Sequence, residues 1–135
     1  MNRYLLDSTP LTAYLNRRPT AVRLIDPWIE HREAATSILS YAEVVEYLKG
    51  LPNPSRRLSE LRRLLREIQP LLLTFSTLER YADLRRQLRP LYGPGLIGDI
   101  DTLIAATALE RDLILVTTDS DFQRVPELKL MLLPR

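Results

Sequence analysis

The feature that most constrains this chain is the regular alternation of short apolar runs with longer amphipathic segments, repeated from one end to the other. Arg3–Leu6, Ala35–Leu39, Leu71–Phe75, Leu113–Thr117 and Leu128–Leu132 read as strands. Between them, Pro10–Asn16, Thr20–Glu33, Ser40–Lys49, Ser55–Gln69, Ser76–Arg89 and Ile100–Arg111 read as helices. Strands separated by helices predict an α/β protein, a three-layer sandwich whose central, mostly parallel five-stranded sheet is flanked by helices. Its 135 residues form a single domain, 1–135, large enough to bury a core without disulfides or structural zinc.

Local chemistry refines this reading. Pro27 should break the second helix, with Asp26 capping a restarted piece and Trp28 packing inward. Leu71–Phe75 is apolar throughout, which predicts a strand buried on both faces. Gly50-Leu51-Pro52-Asn53-Pro54 forms a turn. Residues 90–98, with two prolines and three glycines, form the most flexible loop.

Against this frame four acids stand out. Asp7 closes the first strand and Glu43 follows the second. Asp101 opens the apolar helix Ile100–Arg111, and Asp119 follows the strand Leu113–Thr117. In parallel sheets, ligands bind beyond the carboxyl ends of the strands, so these positions converge on one edge. Gathered carboxylates repel one another unless a cation sits among them, which points to a metal-dependent enzyme. All-oxygen donors suit Mg2+ or Mn2+.

Each acid also has a purely structural account. Asp7, Ser8 or Thr9 would cap the first helix. Ser40-x-x-Glu43 is a capping-box pattern, and Ser76-x-x-Glu79 repeats it without acidic company. Asp99 or Asp101 would cap the helix that follows, and Asp119 and Asp121 fit a polar turn.

Composition excludes several chemistries. There is no cysteine and one histidine, His31, so thiolate sites, redox chemistry and histidine-rich triads are ruled out. Neither a Walker loop nor GxGxxG is present, and no apolar stretch is long enough for a bilayer. The start, Met1-Asn2-Arg3-Tyr4, lacks the apolar core of a signal peptide, so a cytoplasmic protein is expected. Net charge is +2, but all basic residues except Lys49 and Lys129 are arginine. Arg56, Arg57, Arg62, Arg63 and Arg66 crowd one segment, either as a solvated helix face or as a phosphate-tracking, RNA-binding surface.

The whole chain resembles PIN-domain proteins, specifically VapC-type toxin ribonucleases of toxin–antitoxin systems. The resemblance is carried by Tyr4-Leu5-Leu6-Asp7-Ser8-Thr9, Ser40-Tyr41-Ala42-Glu43-Val44, residues 97–108, Leu115-Val116-Thr117-Thr118-Asp119-Ser120-Asp121-Phe122 and Val125-Pro126. It implies that Asp7, Glu43, Asp101 and Asp119 form a catalytic quartet, with Asp7 and Asp101 the first metal ligands. Asp99 and Asp121 become auxiliaries, and Thr9 stands where the family usually has asparagine or serine. Serine at 8, after Asp7, departs mildly from the usual aspartate-threonine pair. The resemblance further implies an Mg2+- or Mn2+-dependent endoribonuclease, a small antitoxin partner and a homodimer. Two alternatives are a PIN-like nuclease acting on DNA or in RNA processing without an antitoxin, and a non-catalytic RNA- or protein-binding PIN module.

Overall fold

A computed structural model describes residues 1–135. Five strands, β1 (Tyr4–Leu6), β2 (Ala34–Ser37), β3 (Gln69–Leu71), β4 (Ile114–Thr117) and β5 (Leu130–Leu132), form one sheet in the order β3-β2-β1-β4-β5. Every pairing is parallel, with Leu5 opposite both Ala35 and Leu115. The chain therefore steps outward from β1 through β2 to β3, then returns to the other side of β1. The order reverses between β1 and β4, which is where a parallel sheet opens a crevice at its carboxyl edge.

Helices α1 (Ser8–Leu15) and α2 (Pro19–Glu30) join β1 to β2, and α3 (Ile38–Lys49) and α4 (Pro54–Leu64) join β2 to β3. α5 (Phe75–Leu88) and α6 (Asp99–Glu110) return the chain to β4, and a short 3-10 helix, Ser120–Arg124, precedes β5. Alternation along the strands sorts side chains into two cores. Leu5, Ala35 and Leu115 pack with Leu84, Leu88 and Ile104 on one face. Tyr4, Leu6, Ala34 and Val116 face the opposite way, packing with Leu11, Ile25, Trp28, Val44 and Leu61.

Several expectations need correction. α2 runs through Pro27 without restarting: the proline forgoes the single bond that its N–H would make to the Arg23 carbonyl, and the helix ends within one further turn, at Glu30. Asp26 caps nothing and instead accepts from the Tyr14 hydroxyl. Trp28 does turn inward, stacking on Tyr4 with ring centroids 3.8 Å apart. β3 is an edge strand of three residues. Beyond it Leu72 is 64% exposed and Phe75 86% exposed, so the run is not buried on both faces. Pro70 explains this: it has no N–H for a ladder and fits only where one side needs no partner.

The helix starts also differ from the capping-box reading. α3 begins at Ile38, and its cap is Ser37, whose Oγ accepts from Leu39 N at 3.0 Å. Ser40 lies within the first turn, so Ser40 and Glu43 form no capping box. α5 is capped by Thr74, which accepts from Thr77 N at 3.1 Å, so the Ser76 pattern fails in the same way.

Candidate active site

Asp7 sits at the switch point. It follows β1 directly, and its backbone N–H donates to Val116 O at 2.9 Å, extending the β1–β4 pairing to the crevice. It occupies the N-cap position of α1, yet its carboxylate makes no capping hydrogen bond. Instead Oδ2 accepts from Thr117 Oγ1, at the end of β4, at 2.7 Å. The residue is 5% exposed, and its Oδ1 is buried with no hydrogen-bond partner. A buried oxygen with free lone pairs is costly to leave alone, which marks it as a place for a ligand.

Asp7 forms the floor of a cleft of about 960 Å³ whose walls include Glu43, Asp101 and Asp119. Glu43 comes from the second turn of α3 and Asp101 from the first turn of α6. Asp119 caps the 3-10 helix, its Oδ1 accepting from Asp121 N at 2.9 Å, so turn duty occupies only one of its oxygens. Thr9, on the first turn of α1, lies exposed at the cleft wall.

Burial and mutual repulsion act on these acids together. Burial pushes the Asp7 carboxyl upward, opposed by the Thr117 hydroxyl and the Ser8 backbone N–H, and the charge of Asp119 pushes it further. The buried Ser40 hydroxyl lies near enough to favour the charged form without making a hydrogen bond of ordinary geometry. Glu43 is raised by burial and then by the charge of Asp7. Asp101 is raised to about 6, by burial first and then by Asp7, Asp119, Glu43 and Asp121. A site that penalises its own negative charge is prepared for a positive one.

The donor set is all oxygen and fits a hard divalent cation, with Asp7 Oδ1 the most exacting position. As the side chains stand, no three carboxylates are drawn together tightly enough to enclose an ion. The remaining candidates lie elsewhere. Asp99 is exposed and pairs with Arg85 at 2.7 Å, outside the cleft wall. Asp121 is exposed beside Arg124 at 3.7 Å and reaches the cleft only through its field at Asp101. The arginine cluster of residues 56–66 does not border the cleft either. The guanidinium groups that do are Arg18 and Arg135. Sequence reasoning missed these two and Thr117, whose place at the end of a strand beside the Asp119 turn was the one available signal.

The sequence model of the PIN domain matches residues 4–128. Among curated protein sequences none matches. Several solved structures share the fold. One is VapBC2 from Rickettsia felis bound to a DNA fragment from its promoter (TM-score 0.84, 22% identity, 96% of this chain and 98% of that one). Another is DNA-bound VapBC from Salmonella typhimurium (TM-score 0.84, 19% identity, 97% and 98%). A third is a toxin–antitoxin complex from Klebsiella pneumoniae (TM-score 0.72, 21% identity, 95% of each chain). With 125 of its residues matched by the family's sequence model and its sheet carrying an acidic crevice at the switch point, this chain belongs to the PIN domain family.

Proposed function

We propose that this chain is an Mg2+- or Mn2+-dependent endoribonuclease, acting in the cytoplasm as the toxin of a type II toxin–antitoxin pair. The observation that carries the reading is Asp7: buried, unpartnered at Oδ1, and facing three further carboxylates across one cleft. A role in capping does not account for it, since its carboxylate caps nothing, and Glu43 belongs to no capping box. The fold shared with toxin–antitoxin complexes supports a small protein antitoxin as partner.

A divalent cation held in the cleft would supply Lewis acidity, polarising a water for attack on a phosphodiester and offsetting charge on the leaving oxygen. Asp7 and Asp101 would hold that cation. Thr117 fixes Asp7 through Oδ2, which leaves Oδ1 for ligation. Glu43 and Asp119 orient the water or accept its proton, with Thr9 placed to hydrogen-bond substrate at the rim. A nuclease acting on DNA or in RNA processing would use the same groups, so substrate preference separates those readings from this one.

The test is cleavage of a total-RNA pool by purified protein in Mg2+, in Mn2+ and in chelator, beside Asp7→Ala. Metal-dependent cutting that disappears in the variant is expected. Equal cutting by Asp7→Ala overturns the site assignment. A folded wild type that neither cuts nor binds Mg2+ by calorimetry is a non-catalytic module.

A further inference from the structure

The turn between α1 and α2 stands between two cavities and contributes to both. Arg18 lines the acidic cleft, Arg17 lines a second groove of about 820 Å³, and Asn16 borders each of them. The far wall of the groove is α4, with Arg56, Arg57 and Arg63 set beside Glu60, and Glu67 follows just beyond the helix's end. The charge balance of the two cavities is opposite. The cleft has four carboxylates, those of Asp7, Glu43, Asp101 and Asp119, against the guanidinium groups of Arg18 and Arg135. The groove has four guanidinium groups against two carboxylates.

Some of these cations are already engaged. Glu60 takes Arg56 at 3.5 Å and Arg57 at 3.4 Å, and Arg57 also donates to Asn16 Oδ1, tying the border residue to the groove wall. Arg17, Arg18 and Arg63 form no ion pair in the protein and are exposed. Arg17 holds a φ of 55°, a left-handed conformation uncommon for a residue with a side chain. Two successive arginines thus serve different cavities from one tight turn.

We propose that this turn is a saddle over which a single-stranded polynucleotide passes from the acidic cleft into the arginine groove, with Arg18, Arg17 and Arg63 as its phosphate contacts. Guanidinium groups match phosphate oxygens in a planar, two-point fit, and free ones spaced along a path suit a repeating backbone of charge. A duplex is too stiff to bend over a single turn between two concavities, whereas a single strand follows it. The inference rests on the nuclease reading of the cleft and extends it: the substrate is a strand of several nucleotides held on one side of the cut. It also divides the arginine cluster of residues 56–66, since Arg62 and Arg66 lie outside this groove.

The experiment is fluorescence anisotropy with a labelled single-stranded RNA of about twelve nucleotides, in chelator so that binding is read without cutting. Arg17→Glu/Arg63→Glu is compared with Arg62→Glu, which makes the same type of charge change on α4 outside the groove. Melting by circular dichroism checks the fold, and Arg63→Glu alone carries the test if the pair melts early. The pair is expected to weaken binding at least about tenfold and to lower the slope of log K against log salt by about 1.4, two contacts at about 0.7 each. Arg62→Glu is expected to stay within about twofold of wild type. Equal binding by the groove and control variants overturns the track, even if the protein cuts RNA. So does intact RNA binding with loss of poly-glutamate binding, which would make the groove a protein-docking surface. The expected binding pattern in a protein that cuts nothing keeps the track and removes the nuclease reading instead.

Discussion

Asp7 places a carboxyl group where burial and the charge of Asp119 oppose ionisation, and that conflict has measurable consequences. In metal-free protein, Asp7→Asn removes the cost of ionising a buried group beside Asp119, and the amide oxygen still accepts from Thr117. The variant should therefore melt higher than wild type in chelator, by about 1 kcal/mol or more, while RNA cutting disappears. A lower melting temperature would show that the carboxylate is structurally satisfied and sink the cation argument. Asp101 gives a pH signature. Its carboxyl rises from 3.8 to about 6 in the folded protein, so the folded state keeps this proton over a range where the unfolded chain has lost it. Its contribution to stability therefore falls as pH rises through that window, and the loss is complete above it. The melting-temperature gain of Asp101→Asn over wild type in chelator should be larger near pH 7.5 than near pH 4, and the reverse order would contradict the shift. The positions of the four acids were legible because each follows a strand or opens a helix. Thr117 was not, since its bond to Asp7 joins residues 110 apart in sequence, and no local pattern encodes that.

Between residues and fold lie the element boundaries, where local rules compete. Thr36-Ser37-Ile38-Leu39-Ser40 offers two serines that could each start a helix, and the apolar Ile38-Leu39 pair extends a strand on pattern alone. Tertiary packing decides in favour of Ser37: Leu39 packs against the core from within the first turn of α3. The same competition at α5 yields a direct contrast. Thr74→Ala should cost about 1 kcal/mol in urea unfolding, because Thr77 N loses its acceptor, whereas Ser76→Ala should change stability by less than about 0.5 kcal/mol. Equal losses would restore the capping box that the structure replaces. Pro70 was the overlooked signal for β3, since an apolar run containing proline belongs at a sheet edge. Pro27 misled in the other direction, because position within a helix matters as much as identity.

At the scale of the molecule, alternation of strands and helices made the parallel sheet legible, and the carboxyl-edge rule brought the acids to one side of it. Strand order was not legible: nothing local says that the chain returns past β1 after β3, and it is this return that creates the crevice. The same topology leaves β3 as a free edge, followed by Leu72, Phe75 and Leu78, all exposed. Exposed apolar side chains gathered within seven residues of one another suit an interaction surface, and an unpaired sheet edge adds to it. A homodimer closing over the β3–α5 junction is the form we expect in solution. Light scattering after size exclusion should give twice the 15.6 kDa chain mass for wild type. Phe75→Asp, which places a charge on the most exposed of the three, should shift the protein to monomer with its melting behaviour otherwise close to wild type, because the side chain is 86% exposed and contributes little to the fold. Wild-type protein that remains monomeric across concentrations removes the dimer. A Phe75→Asp variant that remains dimeric moves the interface away from this junction, toward other exposed apolar residues such as Leu91 and Tyr92.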